Sequence, residues 1–298
     1  DFQKACAVTV DNKGTVYATD CGARKVKMLQ NGIWTDITGS ETFVDPYGIA
    51  ADSKGNVVVA DAWSGKLKKY VNGSWSLVDT WEEGFPMALA FDSNDNLYVV
   101  SIIDEDFGTG SVKRLADGDW EDIAEDIPFV EPAGIFVDQN GDVYVTSDLS
   151  TDVNQIMKWS NGAWSSVEVN SYCPADAAVN SSNELYVLDI RNSIDCDNDI
   201  GVIKQSGGDW TEVYPLSSAA ELKIYNDLFI DKYDNIYVVS NNSHIHKLLV
   251  TLPEVLGVSV SPASGNVVQG DSLQLEAIVD AVGFADESVI WSSSDSSI

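Results

Sequence analysis

The chain has 298 residues, with 17 Lys and Arg against 47 Asp and Glu, a net charge of −30. Because phosphate binding needs clustered cations, this balance argues against a nucleic-acid partner and against anionic membrane surfaces. A hydrophobic content of 44% can build a core, but no run of about 18 apolar residues predicts membrane insertion. One large all-β unit or two domains is therefore expected.

A turn motif recurs through most of the chain. Six copies of an apolar segment each lead into an acidic or amide residue, spaced by 41, 40, 46, 42 and 51 positions; these residues are Asp11, Asp52, Asp92, Asp138, Asn180 and Asp231. An aromatic follows six residues later in every copy except the second, where Val58 takes its place. Each copy is typical of a β-hairpin whose turn ends on a residue that tolerates positive φ.

Two further signals complete the repeat. A third predicted strand carries a lysine in every copy, namely Lys27, Lys68, Lys113, Lys158, Lys204 and Lys247. Six or seven residues later, five copies place a tryptophan after a tight turn: Trp34, Trp75, Trp120, Trp164 and Trp210. Four strands per unit of about 40–50 residues predict an all-β fold, a six-bladed β-propeller, and leave no room for helices. The tryptophans are expected to be structural.

The run from Pro46 to Asp61, Pro-Tyr-Gly-Ile-Ala-Ala-Asp-Ser-Lys-Gly-Asn-Val-Val-Val-Ala-Asp, resembles the consensus of the NHL-repeat β-propellers. Residues 132–138 repeat its first half, and the resemblance covers roughly residues 5–250. It implies a propeller domain over residues 1–250. It implies no single function, since such propellers serve as enzymes, binding platforms and scaffolds.

The sixth copy departs from the pattern, because no Gly-x-Trp turn and no fourth strand follow Lys247. Either the ring closes with a three-stranded blade, or the missing strand lies upstream of Asp1. After a linker over residues 251–256, residues 257–298 resemble the first half of a bacterial immunoglobulin-like group 2 domain. The resemblance implies a partial β-sandwich in a longer surface protein.

The four cysteines lack CxxC spacing and fall in two separated pairs. Cys6 begins the first strand of blade one and Cys21 follows its second strand; Cys173 and Cys196 have the same relation in blade five. Antiparallel pairing brings such positions together, so disulfides Cys6–Cys21 and Cys173–Cys196 are predicted, with reduced buried thiols as the alternative. Together with the acidity and the tail, they favour a secreted or cell-surface protein.

Chemistry-bearing residues concentrate on one predicted face, called here the loop face. It carries the connections from strand two to strand three and from strand four to the next blade. Acids there occupy lengthened connections of blades three to five: Asp104, Asp106, Asp148, Asp152, Asp195, Asp197 and Asp199. The last three alternate as oxygen ligands of Ca²⁺ do, although the loop is no EF-hand and an ordinary solvated loop is the alternative. Aromatic residues expected beside them as ligand-binding groups include Trp63, Trp81 and Tyr172.

No nucleophile motif or phosphate loop occurs, and His244 and His246 are the only histidines. Three functions remain open. The first is a non-enzymatic module that binds a glycan or an extracellular protein through the loop face. The second is a metal-dependent hydrolase or lyase resembling gluconolactonase-like or virginiamycin-lyase-like propellers. The third is a structural module of a surface fibre.

Overall fold

The computed structural model describes residues 1–82, 84–103, 109–124, 129–130, 132–147, 155–169, 174–189, 201–206, 209–215, 225–240, 244–248, 254–261 and 276–282. These residues form a six-bladed β-propeller, which confirms the predicted fold class. Within the described part, no helix is long and apolar enough to cross a membrane.

The first three blades are antiparallel sheets of neighbouring strands in chain order. Blade one contains β1 (Ala5–Val10), β2 (Val16–Asp20), β3 (Lys25–Gln30) and β4 (Ile33–Asp36). Blade two contains β5 (Pro46–Ala51), β6 (Val57–Asp61), β7 (Lys66–Val71) and β8 (Ser74–Thr80), with a short 3₁₀ turn over Ala62–Ser64. Blade three contains β9 (Phe85–Phe91), β10 (Leu97–Ile102), β11 (Thr109–Ala116) and β12 (Asp119–Asp122), and β13 (Phe129–Val130) also pairs with β11.

The remaining blades continue the same order, but the last has three described strands. Blade four contains β14 (Pro132–Val137), β15 (Val143–Ser147), β16 (Gln155–Ser160) and β17 (Ala163–Val167). Blade five contains β18 (Pro174–Val179), β19 (Leu185–Asp189), β20 (Gly201–Ser206) and β21 (Asp209–Pro215). Blade six contains β22 (Tyr225–Ile230), β23 (Ile236–Ser240) and β24 (His244–Leu248), and β22 contacts β1 to close the ring.

The hydrophobic core is divided into six clusters, one between each pair of neighbouring blades. Alternation along each strand sends one set of side chains toward the preceding blade and the other set toward the following blade. Val57 and Val59 therefore pack against blade one, whereas Val58 and Ala60 pack against blade three. No blade can bury both of its faces alone, so the ring is the stable unit.

The repeated acid and the aromatic six residues later form a local hydrogen-bonded unit. The carboxylate of Asp231 accepts the backbone N–H groups of Tyr233 and Asn235 and the hydroxyl of Tyr237, at 2.9, 3.0 and 3.2 Å. The turn residue three after the acid has positive φ in all six blades, as predicted; these residues are Gly14, Gly55, Asp95, Gly141, Asn183 and Asp234. In blade two, where Val58 replaces the tyrosine, Asn56 and Lys69 bind the second oxygen of Asp52 instead.

The described part of the tail is a two-stranded antiparallel sheet of β25 (Glu254–Ser261) and β26 (Glu276–Val282). This sheet does not support the immunoglobulin-like assignment, because a sandwich needs a second packed sheet. Val260 of β25 is 38% exposed.

Candidate functional site

The first strands of the six blades line a central channel, where they enclose a cavity of about 250 Å³. One position of each strand, four residues before the repeated acid or amide, faces its neighbours around the ring. Blades one to four carry small residues at this position, and blades five and six carry acids; in order these are Ala7, Gly48, Ala88, Gly134, Asp176 and Asp227. Blades five and six are adjacent, so the channel holds two carboxyl groups side by side.

Each of the two acids reaches across to the first strand of the next blade. Asp176 Oδ2 accepts the backbone N–H of Leu228 in blade six at 2.8 Å, and its Oδ1 accepts the N–H of Ala177 at 2.8 Å. Asp227 Oδ2 accepts the N–H of Val8 in blade one at 2.8 Å. The acids therefore join blade five to blade six and blade six to blade one.

The space for Asp176 is provided by a glycine of blade four. A Cβ atom at Gly134 would lie 2.0 Å from Asp176 Oδ1 and 2.9 Å from Thr146 Oγ1. The Gly134 N–H donates to that threonine hydroxyl at 2.9 Å, so the backbone is held close to the carboxyl group. Only glycine at this position leaves room for a carboxylate from the neighbouring blade.

The surroundings of the two acids favour their protonated forms. Burial raises the pKa of Asp176 well above its ordinary value, and the nearby charge of Asp227 raises it further. Burial also raises the pKa of Asp227 to about 7, although the bond from Val8 N–H and a hydrogen bond with Asp176 oppose this shift. The two groups titrate as a coupled pair, and both pKa values lie above the ordinary aspartate value.

A phenol lies in the same cavity. Tyr47 of β5 is half-buried, and burial together with the charges of Asp45 and Asp227 raises its pKa. The backbone carbonyl of Tyr47 accepts the hydroxyl of Thr19 at 2.7 Å, which fixes its strand against blade one. The cavity therefore offers a neutral hydroxyl donor as well as a carboxyl pair that can both donate and accept.

The predicted disulfide Cys6–Cys21 is present, with a Cα–Cα distance of 6.0 Å across 15 residues. Cys6 is 1% exposed and lies at the wall of the channel, one residue before Ala7. The bond ties the start of β1 to the connection after β2 on the loop face. The second predicted pair, Cys173–Cys196, lies outside the described residues.

The two predicted ligand-binding tryptophans have different environments. Trp63, on the connection after β6, is 60% exposed, and its ring packs on Phe85 with centroids 4.8 Å apart. Trp81 is only 8% exposed, and it packs edge-on against Trp120 below the amine of Lys113. Trp63 is available to a ligand, whereas Trp81 is corrected to a packing residue between blades two and three.

The other predicted site residues fall outside the part of the chain that the structure describes; they are Asp104, Asp106, Asp148, Asp152, Tyr172, Asp195, Asp197 and Asp199. In the described part, no group of three or more His, Cys, Asp or Glu residues is arranged to hold a metal ion. The Ca²⁺ site at Asp195, Asp197 and Asp199 stays a prediction. The channel acids Asp176 and Asp227 were not predicted, although the six aligned first strands already show where they replace small residues.

No protein-family model matches the chain, and no curated protein matches it. Solved structures do. A gluconolactonase from Xanthomonas campestris superposes with a TM-score of 0.64 and 15% identity, over 81% of this chain and 84% of that chain. A catalytically inactive virginiamycin B lyase from Staphylococcus aureus, solved with quinupristin, gives 0.60 and 17%, over 82% and 79%. A chain of a nidogen/laminin complex gives 0.57 and 17%, over 68% and 76%. At these identities the likeness establishes the propeller fold alone.

Proposed function

We propose that the protein is a hydrolase or lyase whose reaction takes place in the propeller channel, with Asp176 and Asp227 as its acid–base pair. The single observation that carries this proposal is a pair of adjacent carboxyl groups at the wall of a cavity, both with raised pKa values. Perturbed titratable groups in a cleft are the physical signature of catalytic sites. Two structural neighbours named above, a gluconolactonase and a virginiamycin B lyase, are enzymes on the same fold.

The chemistry follows from one proton held by two groups. In hydrolysis, the ionised carboxylate takes a proton from water as the water oxygen attacks a carbonyl carbon. The protonated partner gives its proton to the leaving oxygen, so the pair again holds one proton when the products leave. In elimination, the carboxylate takes a proton from carbon and the partner protonates the leaving group. A pKa of about 7 suits both roles at neutral pH.

The substrate class is limited by charge and volume. A protein with a net charge of −30 repels anions, so we expect a neutral or cationic substrate. A cavity of about 250 Å³ lies below the range typical of drug-sized ligands. The reacting part is therefore small, such as a lactone or another ester, and we assign Tyr47 of the cavity wall as a hydrogen-bond donor to its carbonyl oxygen.

The described channel residues do not fit a dedicated metal site. Three of the four oxygens of Asp176 and Asp227 already accept backbone N–H groups, and the two side chains bond to each other. No third acidic, histidine or cysteine side chain among the described residues joins them in a metal-binding group. The reaction proposed here therefore uses the proton that the pair holds, and no step passes through a metal.

The test is turnover of two substrate classes by the full chain. An aldonolactone and a cyclic depsipeptide would be supplied, and ring opening followed by acid release and by mass spectrometry from pH 4 to 9. We expect a rate that depends on one group titrating near pH 7. Asp227→Asn keeps the acceptor for Val8 N–H but removes the titrating group, so we expect a loss of about 10²–10⁴-fold in kcat.

Leu77→Ala serves as the control, because Leu77 is 58% exposed on the outer strand of blade two, remote from the channel. It should leave the rate unchanged. Ring opening that survives both Asp176→Asn and Asp227→Asn would contradict the proposal. No turnover of either class would favour the second candidate.

The second candidate is a module that binds a glycan or an extracellular protein through the loop face. The exposed ring of Trp63 on Phe85 favours it, because a fixed indole stacks well on a sugar ring. Glycan-array binding lost in Trp63→Ala and kept in Leu77→Ala would support it, and a Ca²⁺ dependence of binding would implicate the predicted loop acids. No binding and no turnover together would leave the structural fibre module.

We also propose secretion or display on the cell surface. The disulfide Cys6–Cys21 supports this location, because such bonds persist in oxidising compartments. Fractionation of the source cells with an antibody against the propeller checks it, and a wholly reduced, cytosolic protein would contradict it.

A further inference from the structure

The large apolar side chains that are exposed on the described part of the propeller fall into two groups. One group lies on outer strands or in a turn of the opposite face: Ile33, Leu77, Val213 and Tyr233. The other consists of Val44, Trp63 and Ile103, in loop-face connections that enter or leave strands of blades two and three. In the described part of the loop face, Trp63 is the one exposed aromatic ring. Clustered exposed apolar side chains mark interaction sites more than scattered ones do.

The turn that carries Trp63 is held in one conformation. Gly65 ends the turn with a φ of 60°, and its N–H donates to the carbonyl of Ala62 at 3.0 Å. The Gly65 carbonyl accepts the N–H of Trp81 at 2.6 Å, and a Cβ atom at Gly65 would lie 2.8 Å from the Trp81 carbonyl oxygen. The indole of Trp63 packs on Phe85 of blade three, with ring centroids 4.8 Å apart. A ligand that stacks on this indole does not have to order it first, which lowers the entropic cost of binding.

The support of Trp63 continues into the wall of the channel. Phe85 is the first residue of β9, and Met87, two residues later, lines the channel cavity. A Cβ atom at Gly48 would lie 2.3 Å from the Met87 carbonyl oxygen, so β5 and β9 are in direct backbone contact at this point. Two residues of a strand span about 7 Å. The indole of Trp63 therefore lies on the order of 10 Å from the cavity wall at Met87.

Trp63 and the carboxyl pair lie on opposite sides of the loop-face end of the channel. Contacts between the first strands follow the blade order around the ring and return from blade six to blade one. In such a ring of six, blades two and three face blades five and six. Asp176, Asp227 and Met87 are each the third residue of their first strand, so they lie at a similar depth below the loop face. A molecule that reacts at the two acids and extends out of the channel toward blades two and three passes over Trp63.

The cavity volume and the residues near Trp63 limit what this indole contacts. A cavity of about 250 Å³ accommodates only the reacting part of a larger substrate, so the rest stays outside the channel. Val44 donates its N–H to Asp61 Oδ1, two residues before Trp63. Ile103 lies against Gly84, where a Cβ atom would be 2.7 Å from the Ile103 Cα atom. An apolar group gains from contact with Val44, Trp63 and Ile103, whereas the aliphatic pair offers no partner to the hydroxyl groups of a sugar.

We infer that Trp63 sets the substrate preference of the channel reaction by stacking on an apolar arm of the substrate. This inference rests on the proposed reaction at Asp176 and Asp227, and it narrows the substrate to a small ester or lactone that carries such an arm. The arm must reach from the channel to Trp63, a distance on the order of 10 Å. Binding energy from the arm then holds the reacting carbonyl at the acids, as contacts remote from the reacting bond do in other enzymes.

The binding test uses the full chain with Asp227→Asn, so that ring opening does not consume the probes. The protein is labelled with 5-fluorotryptophan, and the fluorine resonance of Trp63 is identified as the one missing in Trp63→Phe. Two γ-butyrolactones are added. The short-arm probe carries a phenyl ring directly on the lactone, and the long-arm probe has six methylene groups between the lactone and the phenyl ring. We expect only the long-arm probe to shift the Trp63 resonance.

Dissociation constants give the size of the effect. In the Asp227→Asn chain, adding Trp63→Ala should weaken binding of the long-arm probe about tenfold, because the stacked ring loses its partner. Trp63→Phe keeps an aromatic ring and should weaken it by about threefold or less. Leu77→Ala is the control, since Leu77 is exposed on the outer strand β8, and it should leave both dissociation constants unchanged. The long-to-short ratio of affinities corrects for any change in the channel itself.

Three binding results would overturn the inference. The first is equal affinity of the long-arm probe for the chains with and without Trp63→Ala. The second is a Trp63 resonance that responds to methyl β-glucoside but not to the long-arm probe, which would indicate a glycan site. The third is a resonance that shifts only with protein concentration, which would indicate a second copy of the chain on Trp63.

Turnover by the chain that retains Asp227 separates this inference from the proposed reaction. Ring opening with an unchanged long-to-short preference in Trp63→Ala would leave the reaction standing and overturn the inference. Binding of the long-arm probe at Trp63 without any ring opening would support the apolar site and contradict the reaction instead.

Discussion

Blades one and four solve the packing problem at the channel with different chemistry from blades five and six. In blades one and four, a threonine of the second strand accepts an N–H of its own first strand and donates to a carbonyl of the next blade. In blades five and six, Asp176 and Asp227 cross to the next blade instead. A hydroxyl does this without placing a charge beside the core, whereas two adjacent carboxyls must give up part of their ionisation. The costlier arrangement marks the part of the ring where chemistry is expected.

The largest effect is expected where the two arrangements meet, at Gly134. Gly134→Ala would place a methyl group 2.0 Å from Asp176 Oδ1, whose side chain cannot retreat without losing its bonds to Ala177 and Leu228. We expect a loss of about 4 kcal/mol in unfolding free energy from overpacking and broken hydrogen bonds. Chemical denaturation measures it. Gly162→Ala is the control, because that turn has open space around its Cβ position and a φ of 80°, so only about 1 kcal/mol of backbone strain is expected. If Gly134→Ala and Gly162→Ala lowered the unfolding free energy equally, the crowding at the channel would not be confirmed.

The next effect concerns the covalent tie in blade one, which the described parts of the other blades lack. Closing a 15-residue separation restricts the unfolded chain, so reduction of Cys6–Cys21 should cost about 3 kcal/mol. Thermal unfolding with and without dithiothreitol measures it. The double variant Cys6→Ala with Cys21→Ala should melt near the reduced protein. If reductant still lowers its Tm, the remaining cysteines carry the effect.

An intermediate effect is expected from pH. The pKa of Asp227 is about 7 in the folded protein and 3.8 in a free side chain, so between these values the unfolded chain releases a proton that the folded chain keeps. Stability from this group therefore falls as pH rises from about 4 to about 7 and is level above. Burial lowers the pKa of His246, which acts in the opposite sense below about pH 6.5.

The difference between the wild-type protein and Asp227→Asn isolates the pair, because His246 and the general acidity are common to both. We expect the variant to gain in relative stability across that pH interval, as measured by urea unfolding at pH 5 and pH 8. Parallel pH profiles for the two proteins would show that the pair does not share a proton.

The smallest effect should come from the repeated turn unit, which is common to both parts of the ring. Tyr237→Phe removes a hydroxyl bonded to Asp231 at 3.2 Å and should cost about 1 kcal/mol. Val58 occupies the same repeat position in blade two and has no hydroxyl, so Val58→Ala measures the contribution of packing alone. If Tyr237→Phe is neutral while Val58→Ala is costly, the aromatic spacing reflects packing rather than the hydrogen bond.

The fold was predictable because local chemistry repeats. The acid of each turn needs its partners at fixed offsets, and the strands must bury both faces, so spacing alone indicates blades. The Phe2–Trp34 contact was not predictable in the same way, since Phe2 has no repeat signal and meets Trp34 of β4 only in the folded blade. The immunoglobulin-like interpretation of the tail depended on a few short sequence segments. Such segments do not distinguish a sandwich domain from a simple hairpin, and the structure does not support the sandwich.

The channel pair could have been found by aligning the six first strands, where Asp176 and Asp227 stand among glycine and alanine. The sequence prediction placed the functional acids in the long connections between strands, where charged residues are common. It did not consider acids in a buried strand, where charged residues are rare. The sequence did not show that the two acids are close together. Asp176 and Asp227 are 51 residues apart in the chain and meet only when blades five and six pack together. Trp81 was predicted to bind a ligand because it lies in a connection between blades. In the structure it packs against Trp120 of the next blade instead.

The central claim is that blades five and six hold one proton between two carboxyl groups in the channel. Carbon-13 NMR of the full chain labelled at the aspartate carboxyl carbons, recorded from pH 3 to 9, tests it most directly. The account predicts one aspartate resonance that titrates near pH 7 and disappears in Asp227→Asn, while the midpoint of Asp176 falls but stays above its ordinary value because the side chain remains buried. Titration of every aspartate below about pH 5 would contradict it.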